Sequence, residues 1–529
     1  MTDASTAPAR PSADDVIDLG ALPVSGAYFL ARPEVPTRTP FLAAPLAAPG
    51  PATADGTDPA YRHCWTYAGG GSTIRQELVE MLDGARRKVF VASFFLGDAE
   101  VRAALCRAAE RLHGGVYVIS ALDDRSLNRA INEVDDQQPV DKQTEQKRFE
   151  ELTRQGIWVR GYEGCHAKFA VVDDQVALVS SANLTTHALD VTGENGVVVR
   201  AAADVDTLAR LFARLWQGAR WEMPPGDDPV VSGRTATSRA VRVDTPKPGA
   251  TGPVWTFDDE HHIQEAIEEL IDSAREELLL ATFSLDSMTA NPRLLLDPLR
   301  VAVDRGVRVS MLLRGRNNMS THRADATALA ELGVRLRPCR LNHAKGVIAD
   351  RKRGALFSAN FDARHGLTNG VEVGMRLDGT PSLDEAIRYF EQAMRECDLE
   401  FVRETTVRAL TRLASPVCKP WPLPKRLTVA GTDSDWQAMR RATADGGPAL
   451  YSVDSDGQHL IQVGVQRWTL TPEADGGHRL TRATQERRIP TAAALLDDWL
   501  SSRASDRTRR GICPAALVRP QPGDLTLLK

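Results

Sequence analysis

Two stretches of this chain carry the same set of reactive side chains in the same order. The first holds His166 and Lys168, then Asp173, then Ser181 and Asn183, with Glu194 further on. The second holds His343 and Lys345, then Asp350, then Ser358 and Asn360, followed by Glu372. With 10 Lys and 11 His in 529 residues, chance is a poor explanation. The core spacing H-x-K-x4-D is expected roughly 0.02 times in a shuffled chain. A histidine and a lysine two apart on a strand share one face. The alanine between them (Ala167, Ala344) turns to the packing side. A turn and a second strand then bring the serine and asparagine back beside them. Each surface offers an imidazole, an ammonium, a carboxamide and a hydroxyl, and two such surfaces face to face would double the set.

Those groups suit a phosphodiester. Lys168, Lys345, Asn183 and Asn360 can hold non-bridging oxygens and stabilise developing charge. One histidine attacks phosphorus and forms a phospho-enzyme. The other protonates the leaving oxygen, then activates water. The attacking ring must be neutral and the acid protonated, so the two titrate as a coupled pair. Glu194 and Glu372 are placed to accept an Nδ1–H bond and fix a tautomer.

The elements that must position these residues also come twice. CWTYAGGGSTIRQELVEMLDGARRKVFVASFFL from Cys64 parallels VWTFDDEHHIQEAIEELIDSAREELLLATFSL from Val254. Each opens on Trp-Thr-aromatic, continues as an amphipathic helix (Ile74, Leu78, Met81, Leu82; Ile263, Ile267, Leu270, Ile271) and ends in an apolar strand. Further helices and strands alternate up to each motif, which predicts βαβ units around a covered sheet. The expected architecture is α/β. Two similar lobes span 61–222 and 253–404, joined by a Pro- and Gly-punctuated linker over 223–252. Residues 1–60 form an extension, disordered over its first part. Residues 405–529 read as a small α+β module, with a hairpin at Asp456-Gly457 and a helix over 488–503.

The two motifs resemble the signature of the phospholipase D superfamily, H-x-K-x4-D-x6-G-S-x-N, which normally occurs twice per active site. The resemblance covers both lobes and neither end. It implies two lobes with pseudo-twofold symmetry, a phosphohistidine intermediate and no required metal or other cofactor. It casts His166 as nucleophile and His343 as acid and base, with Asp173, Asp350, Ser181 and Ser358 in support. The pattern departs where the Gly of Gly-Ser is Ser180 in one lobe and Phe357 in the other. Glycine permits close backbone approach, so the bulkier residues bear on the phosphate pocket, Phe357 more than Ser180.

Composition bounds the rest. A net charge of −5 and 42% hydrophobic residues exclude a nucleic-acid coat or a disordered chain. No apolar run is long enough to span a membrane, the N-terminus lacks a secretory pattern, and seven cysteines form no CxxC pair. A reduced, cytoplasmic protein without integral membrane association is expected. Residues 290–370 hold 15 Lys/Arg against 6 Asp/Glu. The loop LLRGRNNMSTHR, with Arg314, Arg316, Asn317 and Arg323, is expected to bind substrate. Its counterpart in the first lobe, LDDRSLNRAINEVDDQQ, is acidic. A one-sided basic wall suits an extended polyanion. The preferred reading is a metal-independent nuclease. The alternatives are a phospholipase D or phosphatidyl transferase acting on phospholipid head groups, and a non-catalytic polyanion-binding scaffold.

Overall fold

In the computed structural model, the described residues are 23–32, 60–120, 142–234 and 248–406, apart from 68–70 and 318, with short strands between 427 and 528. They divide into two compact units. The larger comprises 32–315 and 324–400 and contains both motifs; the smaller comprises 1–31, 316–323 and 401–529.

In the larger unit the first lobe is a ten-stranded mixed sheet. Its parallel centre runs Trp158–Gly161, Val116–Ser120, Val89–Ala92. Phe169–Val172, Val176–Ser180, Glu194–Val199 and Tyr61–Tyr67 continue it as antiparallel neighbours. The helices between them start where the sequence supplies caps. Asp98 accepts from the backbone N–H groups of Glu100 and Val101 at the head of Ala99–Arg111. Ser72 accepts from Arg75 N–H at the head of Thr73–Gly84. Ile74, Leu78 and Leu82 from the latter lie fully buried under the sheet.

The second lobe repeats the plan with eight strands. Thr251–Phe257 pairs with Glu372–Leu377, and Gly346–Ala349 lies between Glu277–Thr282 and Arg353–Phe357. One hydrophobic core serves both lobes. Helix Ala202–Gly218 of the first packs on Thr251–Phe257 of the second, and helix Pro381–Arg395 of the second packs on Tyr61–Tyr67 of the first. Phe212, Trp255, Met375 and Tyr389 meet in that core. Exchange of helices across the seam fastens the lobes together and fixes the angle at which their motifs face.

The missing motif glycines reappear across the ladder. Ser180 stands opposite Gly196, and Phe357 opposite Gly374. A Cβ at Gly374 would lie 2.6 Å from Phe357 Cβ and 2.7 Å from Leu356 O. Phe357 is 2% exposed and packs near Phe361, with ring centroids 6.3 Å apart. The added bulk is thus accommodated by a glycine on the facing strand. Gly374→Ala is expected to destabilise by about 1–3 kcal/mol through overpacking. Gly84→Ala, with open space around it, should be neutral within error. Urea unfolding of the two variants checks this.

In the smaller unit, Pro23–Ala31 pairs with Leu399–Thr406. A separate sheet contains the meander Ala449–Val453, His459–Val463, Gln466–Pro472 and His478–Arg482. The first two are the arms of the expected hairpin. The expected helix over 488–503 and the acidic loop of the first lobe fall outside the described residues.

Candidate active site

Backbone hydrogen bonds across the lobe seam place the two histidines. His166 N–H donates to Val371 O at 2.9 Å, and Val371 N–H to Gly164 O at 3.0 Å. In the matching place, His343 N–H donates to Gly193 O and Gly193 N–H to Leu341 O, both at 2.8 Å. Val371 precedes Glu372 and Gly193 precedes Glu194. Each lobe therefore delivers its carboxylate to the other lobe's imidazole. His166 Nδ1 lies 2.8 Å from Glu372 Oε1, and His343 Nδ1 lies 2.8 Å from Glu194 Oε1. An Nδ1–H held by a carboxylate leaves Nε2 for chemistry.

Both carboxylates are buried, Glu194 at 0% and Glu372 at 3% exposure. Burial opposes their charge, but His343 and Lys345 around Glu194, and His166 and Lys168 around Glu372, outweigh it and hold both below the usual carboxylate range. Hydroxyls help: Ser181 donates to Glu194 at 2.6 Å, and Ser358 donates to Glu372. The serines expected in support thus contact the glutamates.

The lysines are as enclosed as core residues, Lys168 at 1% and Lys345 at 0% exposure. Lys168 Nζ donates to His166 O at 2.7 Å. Lys345 Nζ lies 3.0 Å from Nδ1 and 3.1 Å from Nε2 of His343. Burial foremost, with Lys345 and Lys168 adding to it, lowers His343 to about 3 against the opposing pull of Glu194. His343 is therefore neutral at ordinary pH. The charge of Lys168, from the other lobe, reaches that ring, so both motifs contribute to one site. The Oδ1 atoms of Asn183 and Asn360 are both buried without a hydrogen-bond partner among the described residues. The same atom is in the same state at the same point of both lobes.

Asp173 and Asp350 do something else. Asp173 accepts from the N–H groups of Arg86, Arg87 and Lys88 at 2.7–2.9 Å. Asp350 does the same for Arg275, Glu276 and Glu277 at 2.8–2.9 Å. Burial works against each charge, yet the three donors hold both carboxyls below their ordinary value. These aspartates tie the motif strand to the start of its neighbour and so set the strand register.

The residues expected to bind substrate separate. Arg314 is buried with its guanidinium 5.5 Å from the Phe283 ring centroid, and Phe283 packs edge-on to His343 at 4.7 Å. Arg314 therefore belongs to the surroundings of the site. Asn317 does not: its carboxamide accepts from Phe29 N–H at 2.8 Å and donates to Phe29 O at 2.9 Å. Arg323 donates to Asn317 O and lies over Tyr28 at 4.9 Å. Both are engaged in clamping the strand Pro23–Ala31, and Arg316 sits half-buried in the same unit. The basic excess of 290–370 is also matched in part. Arg300 pairs with Asp297 at 2.8 Å, Arg353 with Asp378 at 3.0 Å, and Arg351 with Glu391. Counting charge along the sequence missed these partners because most lie outside the counted window.

Three residues that the motif analysis passed over touch the site. Phe94 packs edge-on to His166 at 5.4 Å, as Phe283 does to His343. They occupy equivalent places in the repeat, in SFFL and TFSL, and aligning the repeats further would have found them. Thr192 Oγ1 donates to Glu194 at 2.8 Å, and no sequence signal marks it.

Comparison with known proteins follows the same lines. A family profile described as "Cardiolipin synthase, PLD-like domain" matches residues 78–216 and 267–394, half the chain. No curated protein matches. Among solved structures, phosphatidylserine synthase from Haemophilus influenzae is 16% identical with TM-score 0.45, covering 62% of this chain and 85% of that one. Nuc, a phospholipase D family member from Salmonella typhimurium, is 18% identical with TM-score 0.24, covering 31% and 99%. Polyphosphate kinase from Porphyromonas gingivalis is 17% identical with TM-score 0.39; the match covers 60% of this chain and 47% of that one, so the chain spans about half the kinase's length. Among the described residues, no helix is long and apolar enough to cross a membrane.

Proposed function

This chain belongs to the phospholipase D superfamily of phosphodiester-cleaving enzymes, and from that premise we propose that it is a metal-independent cytoplasmic nuclease working through a phosphohistidine. One observation carries the chemistry: two His–Glu pairs, each built from both lobes, beside two buried ammonium groups. A neutral imidazole Nε2 attacks phosphorus, and the P–O bond to the leaving group breaks. The leaving oxygen takes the proton of the second imidazolium. Water then gives a proton to that second imidazole and displaces the first from phosphorus. Lys168, Lys345, Asn183 and Asn360 surround the charge that develops on the non-bridging oxygens.

Nucleic acid as substrate is supported by charge near the motifs. Arg340, three residues before His343, is half exposed, with its guanidinium 3.6 Å from Asp398, whereas Glu163 holds the equivalent place before His166. Arg364, exposed, follows Asn360 where His187 follows Asn183. A strand of phosphates would find these cations beside the second motif. A reducing compartment fits the five described cysteines, none of which forms a disulfide. The family description favours a second reading, transfer or hydrolysis at phospholipid head groups.

A panel decides: single- and double-stranded DNA, RNA, and phosphatidylcholine or cardiolipin vesicles, each in EDTA, with wild type and His166→Ala. Cleaved nucleic acid with wild type alone is the expected result. Lipid turnover with intact nucleic acid moves the substrate to the membrane surface. Activity that disappears in EDTA removes the metal-independent mechanism.

A further inference from the structure

Perfect twofold symmetry between the lobes would make the two histidines equivalent. One side chain breaks it. Thr192, 4% exposed, donates to Glu194 at 2.8 Å. The matching position in the second lobe, two residues before Glu372, is Gly370, which has no side chain. The equivalence is set by the backbone, since Gly193 and Val371 make the same seam bonds to Leu341 and Gly164. Glu194 thus accepts hydroxyl donors from Ser181 and Thr192, where Glu372 has, among the described residues, a single hydroxyl donor, Ser358. A carboxylate that shares its charge among more donors stabilises an imidazolium less. On the other side of His343, Lys345 Nζ lies 3.0 and 3.1 Å from the two ring nitrogens, where a cation repels a second proton.

We propose that Thr192 is a positioning residue that, with Lys345, keeps His343 neutral, so that His343 is the nucleophile and His166 the general acid. This reverses the roles implied by the family resemblance, and it rests on the phosphohistidine reading above. The groups facing the His343–Glu194 pair are Lys345 and Lys168 at the ring, with His187 and Tyr389 beside the carboxylate. In the first step the Nε2 lone pair of His343 forms the N–P bond. The P–O bond to the leaving group breaks, and that oxygen takes the Nε2 proton of His166. In the second, water passes a proton to His166 Nε2, its oxygen bonds to phosphorus, and the N–P electron pair returns to His343.

Bis(p-nitrophenyl) phosphate tests the assignment, because p-nitrophenolate leaves without a proton donor. After an alkaline quench and digestion, mass spectrometry should find the aryl phosphate on His343 in wild type, and accumulated there in His166→Ala. His343→Ala should release no burst of p-nitrophenolate. An adduct on His166 overturns the assignment. Hydrolysis with no adduct on either ring removes the phosphohistidine reading itself, and this proposal with it. Thr192→Val frees Glu194 to attract the proton on His343. The acidic limb of kcat/KM should move up by about one pH unit and return in Thr192→Ser. An unmoved limb overturns the role of Thr192.

Discussion

His343→Ala and His166→Ala are each expected to lower kcat for a diester with a poorly departing alkoxide by about 10³-fold or more. The size follows from what each ring does. Losing the nucleophile removes the covalent path. Losing the acid leaves an alkoxide to depart without its proton. The double variant should be little worse than either single one, because groups that act as one unit are not additive. The residual rate would come from the ammonium and carboxamide groups that still surround phosphorus. Kinetics on variants whose circular dichroism and melting match wild type give the check. A loss of tenfold or less would place the chemistry on other residues. The experiment also bears on the seam. His166 is oriented by Glu372 and His343 by Glu194, so neither lobe has a complete pair by itself. Glu194→Gln should therefore impair the chemistry of the second lobe's histidine and leave the Glu372 contact of the first intact.

Much of this was legible in the residues because it was written twice. Repetition exposed the H-x-K spacing and the two strands beside it, which recur in both sheets, but the reactive residues were expected on those strands and stand just outside them. His166, Lys168, His343 and Lys345 precede Phe169–Val172 and Gly346–Ala349, and Ser181, Asn183, Ser358 and Asn360 follow Val176–Ser180 and Arg353–Phe357. The helix Ala99–Arg111 starts at Asp98 and ends at Leu112, because an aspartate cap and an amphipathic pattern are local signals. Contacts between distant segments were not legible. Glu194 and Glu372 were expected at the imidazoles, but nothing in a linear pattern says that each crosses to the other lobe. That depends on the bridges Gly193–Asn342 and Cys165–Val371. Asn317 reads as a polar loop residue beside arginines until the strand Pro23–Ala31, almost 300 residues earlier, is seen to occupy it. The same holds for Phe357, whose bulk is a problem only until Gly374 is placed opposite.

Acid should destabilise this fold sooner than carboxylate titration alone would. His63 is buried and His343 keeps 13% of its side chain exposed; desolvation, with Arg388 adding to it at His63, lowers each to about 3. An unfolded chain titrates its histidines near 6.5. Between those values the unfolded state holds a proton that the folded state does not, so stability is full above about pH 6.5 and falls as pH drops. Each histidine contributes a slope of up to about 1.4 kcal/mol per pH unit, or for the two about 5 kcal/mol by pH 4.5. That is a large part of the stability of an ordinary domain. Below it, Glu194, Glu372, Asp173 and Asp350 add to the loss, because their folded-state values lie under their unfolded ones. Urea unfolding at half-unit steps from pH 7.5 to 4.5 should show a plateau, then a descent. His63 lies against Tyr389, with ring centroids 5.9 Å apart, away from the phosphate chemistry. His63→Gln should therefore halve the slope, whatever it does to the plateau. A flat profile down to pH 4.5 would mean that both imidazoles take up protons in the folded chain, and His343 would lose its claim to be the neutral partner.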